Sequence, residues 1–121
     1  MSFSFHDIEK LILSKGINIE LCEGEYLYIE NEPVEALYYL KKGNVILFDS
    51  KGRKAKMETN RLLNIKDIIQ NAHHTHSAIA SSDVEMVVVD KAGSLEVLTK
   101  YSRIIFQYIL SKEGKKEIVY E

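Results

Sequence analysis

From Ile17 to Asp90 the sequence breaks into short apolar or alternating runs, with turn residues roughly every 8–12 positions. A chain with that texture folds into a sandwich or barrel of many short strands. Ile17-Asn18-Ile19-Glu20-Leu21 alternates with the period of two that marks a half-buried strand. Tyr26-Leu27-Tyr28-Ile29 follows the turn Glu23-Gly24-Glu25, and Asn31-Glu32-Pro33 is the next turn. Ala36 to Leu40 and Val45 to Phe48 flank Lys41-Lys42-Gly43-Asn44 in a hairpin-like arrangement. Ser50 to Arg53 turns into an exposed strand, Lys54 to Glu58, and Ser77 to Asp90 is extended again. Met86-Val87-Val88-Val89 is too rich in β-branched side chains for a comfortable helix.

Both ends switch to helical spacing. Ile8, Leu11 and Ile12 recur every three to four residues, and Gly16 stops the pattern as a C-terminal cap does. Beyond Asp90, Leu95, Val97 and Leu98 and then Ile104, Ile105, Tyr108 and Ile109 form an apolar face. Gly93 or Ser94 is the expected cap, and Tyr101-Ser102 the expected break between two helices. The predicted fold is mainly β, a double-stranded β-helix (jelly-roll) β-roll over about residues 17–90. A short N-terminal helix at about 6–15 and one or two C-terminal helices at about 93–113 complete it.

The 121 residues suit a single domain spanning 1–121 and exclude an enzyme built from separate cofactor and substrate domains. A net charge of −2 excludes a chain whose main task is to grip nucleic-acid phosphates. One cysteine, Cys22, forms no internal disulfide, and acidic neighbours are expected to raise its thiol pKa. No signal peptide is visible and no apolar stretch reaches the ~20 residues of a membrane span, so a cytoplasmic domain without membrane contact is expected.

The run from Gly24-Glu25 through Tyr28 and Glu30-Asn31-Glu32-Pro33 to Leu37-Tyr38-Tyr39-Leu40-Lys41-Lys42-Gly43-Asn44-Val45 resembles the front half of the cyclic-nucleotide-binding domain. That domain is the sensor module of catabolite-activator-protein (Crp/Fnr) transcription regulators, cyclic-nucleotide-dependent kinases and gated channels. Asn31 stands where the family has a second glycine, a mild exchange because asparagine tolerates positive φ. Ser77-Ala78-Ile79-Ala80 and Val84 to Asp90 resemble the family's last strands, so the likeness runs from about Ile8 to Leu110. It implies an eight-stranded β-roll whose closing helices relay a ligand signal.

In ligand-binding members a phosphate cassette supplies a glycine N–H and short helix for the cyclic phosphate, an arginine for its charge and a glutamate for the ribose hydroxyl. Counted back from Ser77-Ala78, the resemblance places Lys66 at the glycine, Asp67 at the glutamate and His76 at the arginine. Thr75 falls at a proline. Lys66 keeps a phosphate further away than glycine does, and a mostly neutral imidazole is a poor substitute for a guanidinium. Useful affinity for cyclic AMP or cyclic GMP is therefore not expected, and no cofactor is. If a nucleotide binds, Lys66, Asp67, His76 and Ser77 are the residues expected to hold it.

His73-His74-Thr75-His76 suggests a second reading. On a strand His74 and His76 share a face, and together they are the ligands expected of a small cupin-like metal-binding jelly roll. The plainer alternative is a polar loop with hydrated histidines. Tyr26, Tyr28, Tyr38 and Tyr39 have no basic groove around them and are expected to divide between core and surface. No nucleophile motif surrounds Ser77, so catalysis is not expected.

The expected function is non-catalytic sensing of a small-molecule effector. Homodimerisation through the C-terminal helix, along Leu98, Ile105 and Ile109, accompanies it. A pure dimerisation module is the third reading. No stretch reads as a helix-turn-helix, so this chain is expected to be either the sensor part of a longer DNA-binding regulator or a stand-alone member acting by protein contact.

Overall fold

The first helix, α1 (Phe5–Lys15), buries Ile8 and Ile12, one turn apart, and ends where the Gly16 N–H donates to the Ile12 carbonyl (2.9 Å). Glycine is required there: a Cβ on Gly16 lies 2.1 Å from Val87 Cγ1. The computed structural model describes residues 5–100 with Ser102 and Arg103. Eight strands follow α1: β1 (Ile17–Leu21), β2 (Tyr26–Tyr28), β3 (Ala36–Lys42), β4 (Val45–Phe48), β5 (Lys54–Met57), β6 (Arg61–Leu62), β7 (Ser77–Ala80) and β8 (Val84–Asp90). A short helix α2 (Ile65–Gln70) lies between β6 and β7, and α3 (Lys91–Lys100) follows β8.

All strand pairs are antiparallel, in two four-stranded sheets ordered β1-β8-β3-β6 and β2-β7-β4-β5. This is the expected jelly-roll β-roll with a helix at each end. The even mixture of buried residues along β8 has a simple cause. Val87 and Val89 pack with Ile8, Ile12, Leu37 and Val97 under the helices. Val84 and Met86 face the other way, into the core between the sheets with Leu40, Val45, Leu47 and Met57. A strand covered on both faces has no need of polar alternation.

Two sequence expectations change. The cap of α3 is Asp90, whose Oδ1 accepts the Gly93 N–H (2.8 Å), as an N-cap carboxylate does for the third helical residue. Ser94 is instead buried and its hydroxyl donates back to the carbonyls of Val89 (3.0 Å) and Asp90 (2.7 Å). β6 and α2 were not legible as elements, being only two and six residues long. Ser102 and Arg103 are helical; Tyr101, on which the expected break also rests, and the second helical stripe, Ile104 to Ile109, lie outside the described residues. Among the described residues no helix is long and apolar enough to cross a membrane.

Candidate functional site

Two segments distant in sequence are zipped together beside β2 and β7. The Asn31 N–H donates to His74 O (2.8 Å), the His74 N–H to Glu32 O (2.9 Å) and the Val34 N–H to Ala72 O (2.9 Å), with a β-bridge between Pro33 and His73. Asn31 takes φ 73°, a left-handed conformation that asparagine tolerates better than most residues. Ala72 does the same at φ 61°, where its N–H closes α2 on Asp67 O (2.9 Å). An L-residue pays roughly 1–2 kcal/mol for that conformation, so the zipped loops must hold it. Asn64 anchors the start of α2: its buried amide accepts the Tyr38 N–H (3.0 Å) and donates to Ala36 O (2.7 Å).

Inside this frame lies a buried polar network. Asp67, 1% exposed, accepts the Thr75 N–H on Oδ2 (3.0 Å), and on Oδ1 the Thr75 hydroxyl (2.9 Å) and the Asn71 amide (3.0 Å). His76, 2% exposed, has Nδ1 3.2 Å from Thr75 Oγ1 and 3.7 Å from Asp67 Oδ2, and Nε2 2.7 Å from the Tyr28 hydroxyl. The Thr75 hydroxyl donates to Asp67, and the Tyr28 hydroxyl, also 3.5 Å from the Leu63 carbonyl oxygen, shares with Nε2 a hydrogen bond whose direction follows the imidazole tautomer. His74 stacks on the Tyr28 ring, centroids 3.9 Å apart at 10°. Tyr38 lies 5.3 Å from the same ring.

Burial holds both imidazoles neutral. It pushes His74 down to about 4, against the opposing pull of Asp67. His76 is lowered by the same desolvation, again opposed by Asp67. Neither offers a cation at neutral pH. Lys66 stands half-buried on α2 and shares none of these bonds. Ser77 is buried, its hydroxyl accepting the Glu30 N–H (2.9 Å).

The fold therefore brings Asp67 and His76 together and leaves Lys66 and Ser77 engaged elsewhere or apart. It adds Tyr28 and Thr75, whose only sequence signal was position, Tyr28 on its strand and Thr75 in the counted cassette, and it stacks His74, expected as a metal ligand, on the Tyr28 ring. The hydrated-loop reading is corrected for His74 and His76, which are 3% and 2% exposed, while His73 is exposed. Nδ1 of His74 has no hydrogen-bond partner among the described residues. Among those residues no group of three or more His, Cys, Asp or Glu side chains is placed to hold a metal ion. Cys22 is exposed, with its thiol raised chiefly by the charge of Glu25 and then of Asp83. Tyr28 and Tyr39 are buried, Tyr38 is half-buried and Tyr26 is exposed.

The family model for the cyclic nucleotide-binding domain matches residues 18–101. Among solved structures, the catabolite activator protein of Thermus thermophilus superposes with a TM-score of 0.70 at 18% identity, over 86% of this chain and 51% of that one. The c-di-GMP responsive global regulator CLP of Xanthomonas campestris gives 0.72 at 12% identity, over 92% and 58%. The sensor domain of the transcriptional regulator DNR from Pseudomonas aeruginosa gives 0.68 at 15% identity, over 86% and 73%. The chain spans about half the length of the Thermus protein. No curated protein matches it by sequence.

Proposed function

This chain belongs to the cyclic nucleotide-binding domain family, and we propose that residues 1–121 form one regulatory, non-catalytic sensor domain acting in the cytoplasm on an effector other than cyclic AMP or cyclic GMP. The observation that carries this reading is the closed network of Tyr28, His76, Thr75 and Asp67. A cyclic phosphate needs a fixed cation and free N–H groups. Here the imidazole is neutral and already bonded to Tyr28, and the carboxylate is already bonded to Thr75 and Asn71.

An effector that occupies this site must take hydrogen bonds from Tyr28 or Thr75, and so displace the 72–77 segment and α2. Ile65 at the start of α2 shares one core cluster with Val97 of α3. A shift of α2 is thereby passed to α3 and to the chain beyond it, where a homodimer partner or a protein target reads the change.

Calorimetric titration of the full chain with cyclic AMP and cyclic GMP tests the reading. The expected result is no saturable heat up to millimolar ligand. Micromolar binding that disappears in His76→Ala or Asp67→Ala would show a working cassette and overturn the altered-effector assignment.

A further inference from the structure

β1 and β2 are the outermost strands of their sheets on the same side of the roll, and a cleft of about 380 Å³ opens between them. Its interior is apolar. The register that pairs Ile17 with Val88 and Ile19 with Met86 sets these side chains in two rows facing β2. Met86 is fully buried beneath them, and Tyr38 and Leu27 complete the lining. The rim is apolar too: Ile17 is 72% exposed and Tyr26 51%. Large apolar side chains gathered at the mouth of a cleft are a feature of binding sites, and the volume falls within the roughly 300–1,000 Å³ usual for small-molecule pockets.

Charge at one end of the cleft is one-sided. Lys15, Glu35 and Asp90 stand there. Lys15 Nζ is already paired with Glu96 (2.8 Å). Glu35 is exposed, and its carboxylate makes no hydrogen bond or ion pair among the described residues. It lies near enough to the Tyr38 hydroxyl to add to the effect of burial in raising that group. Asp90 is engaged through Oδ1 as the α3 cap, so the end of the cleft is an apolar slot whose unengaged carboxylate is that of Glu35.

We propose that this cleft binds a small organic cation, an apolar chain or ring carrying an ammonium group that meets Glu35 and Asp90. No residue from 65 to 77 lines it, so it is separate from the Tyr28–His76 site. The Tyr38 ring nevertheless borders both, lining the cleft and lying 5.3 Å from Tyr28.

Methyl-detected NMR titration of the full chain with n-decylammonium tests the assignment. Decanol and decanoate serve as matched probes, each kept below its micelle-forming concentration. Decylammonium is expected to shift the methyls of Ile17, Ile19, Leu27 and Val88 saturably and to bind more tightly than decanoate. Glu35→Gln should weaken decylammonium by about two- to fivefold, the scale of one solvent-exposed charge contact, and leave decanol unchanged. Ile17→Lys, at a position exposed enough to keep the fold intact, should abolish decylammonium binding. Absence of saturable shifts with all three probes would overturn the site, and equal affinity for decylammonium and decanoate would overturn the cationic ligand class. Indifference to both substitutions would place binding elsewhere and overturn it as well.

Discussion

Acidification should destabilise this domain between pH 6.5 and 4, and His74 sets most of the magnitude. In an unfolded chain its imidazole titrates near 6.5, whereas burial against Tyr28 pushes it down to about 4 in the fold. Between those values the unfolded state binds the extra proton, so stability is fully present above pH 6.5 and is lost as pH falls toward 4. One pKa unit corresponds to about 1.4 kcal/mol, so the loss is about 2 kcal/mol at pH 5 and about 3 kcal/mol below pH 4. His76, lowered for the same reason, adds in the same direction.

Urea unfolding at pH 8, 6.5 and 5, followed by circular dichroism because the chain has no tryptophan, measures it. A loss of 2 kcal/mol moves the midpoint by about 1–2 M at the m-value usual for a domain of this size. His74→Phe keeps a ring on Tyr28 but has nothing to protonate, so its stability should fall about 2 kcal/mol less than wild type between pH 8 and 5. A wild-type midpoint unchanged over that range, or an equal fall in His74→Phe, would refute the burial argument.

Tyr28→Phe should cost about 0.5–1.5 kcal/mol in urea unfolding, because it removes the buried hydroxyl that bonds His76 Nε2. Tyr38→Phe, which removes a hydroxyl facing the cleft, should cost less than about 0.5 kcal/mol, and the reverse order would discount the network. Gly24 and Gly43 share nearly the same φ, 93° and 94°, but differ in surroundings. A Cβ at Gly24 meets open space, whereas one at Gly43 lies 2.4 Å from the Asp83 carbonyl oxygen. Gly24→Ala should therefore cost about 1–2 kcal/mol and Gly43→Ala clearly more, and equal midpoints for the two would contradict the close approach. Asp90→Ala should lose about 0.5–2 kcal/mol of stability through the α3 cap; an unchanged unfolding midpoint would return the cap to Gly93 or Ser94.

The order helix, strands, helix was legible before any coordinates because periodicity is a property of neighbouring residues. Ile17 to Leu21 alternates because a strand turns successive side chains to opposite faces, and Ile8 and Ile12 recur because a helix returns to one face each turn. Asn31 was readable for the same kind of reason: its positive φ is a local demand that asparagine meets. Even Val84 to Asp90 was recognisable as a strand from β-branched side chains, although its two buried faces conceal the alternation.

What the sequence by itself determined is thus most of the backbone, the longer strands, the first helix and the turns between them, but not β6 or α2, which are too short to carry a period. Tertiary structure alone decided the chemistry of the site. Tyr28 and His76 are 48 residues apart and meet only because β2 and β7 are neighbours in one sheet. A histidine run that reads as hydrated becomes two neutral, buried imidazoles because the loops around it exclude water. The apolar cleft likewise exists only because β1 and β2 are both edges on one side of the roll. Periodicity follows from dihedral angles between adjacent residues, whereas solvation, hydrogen-bond partnership and charge state depend on what the rest of the chain brings within a few ångströms.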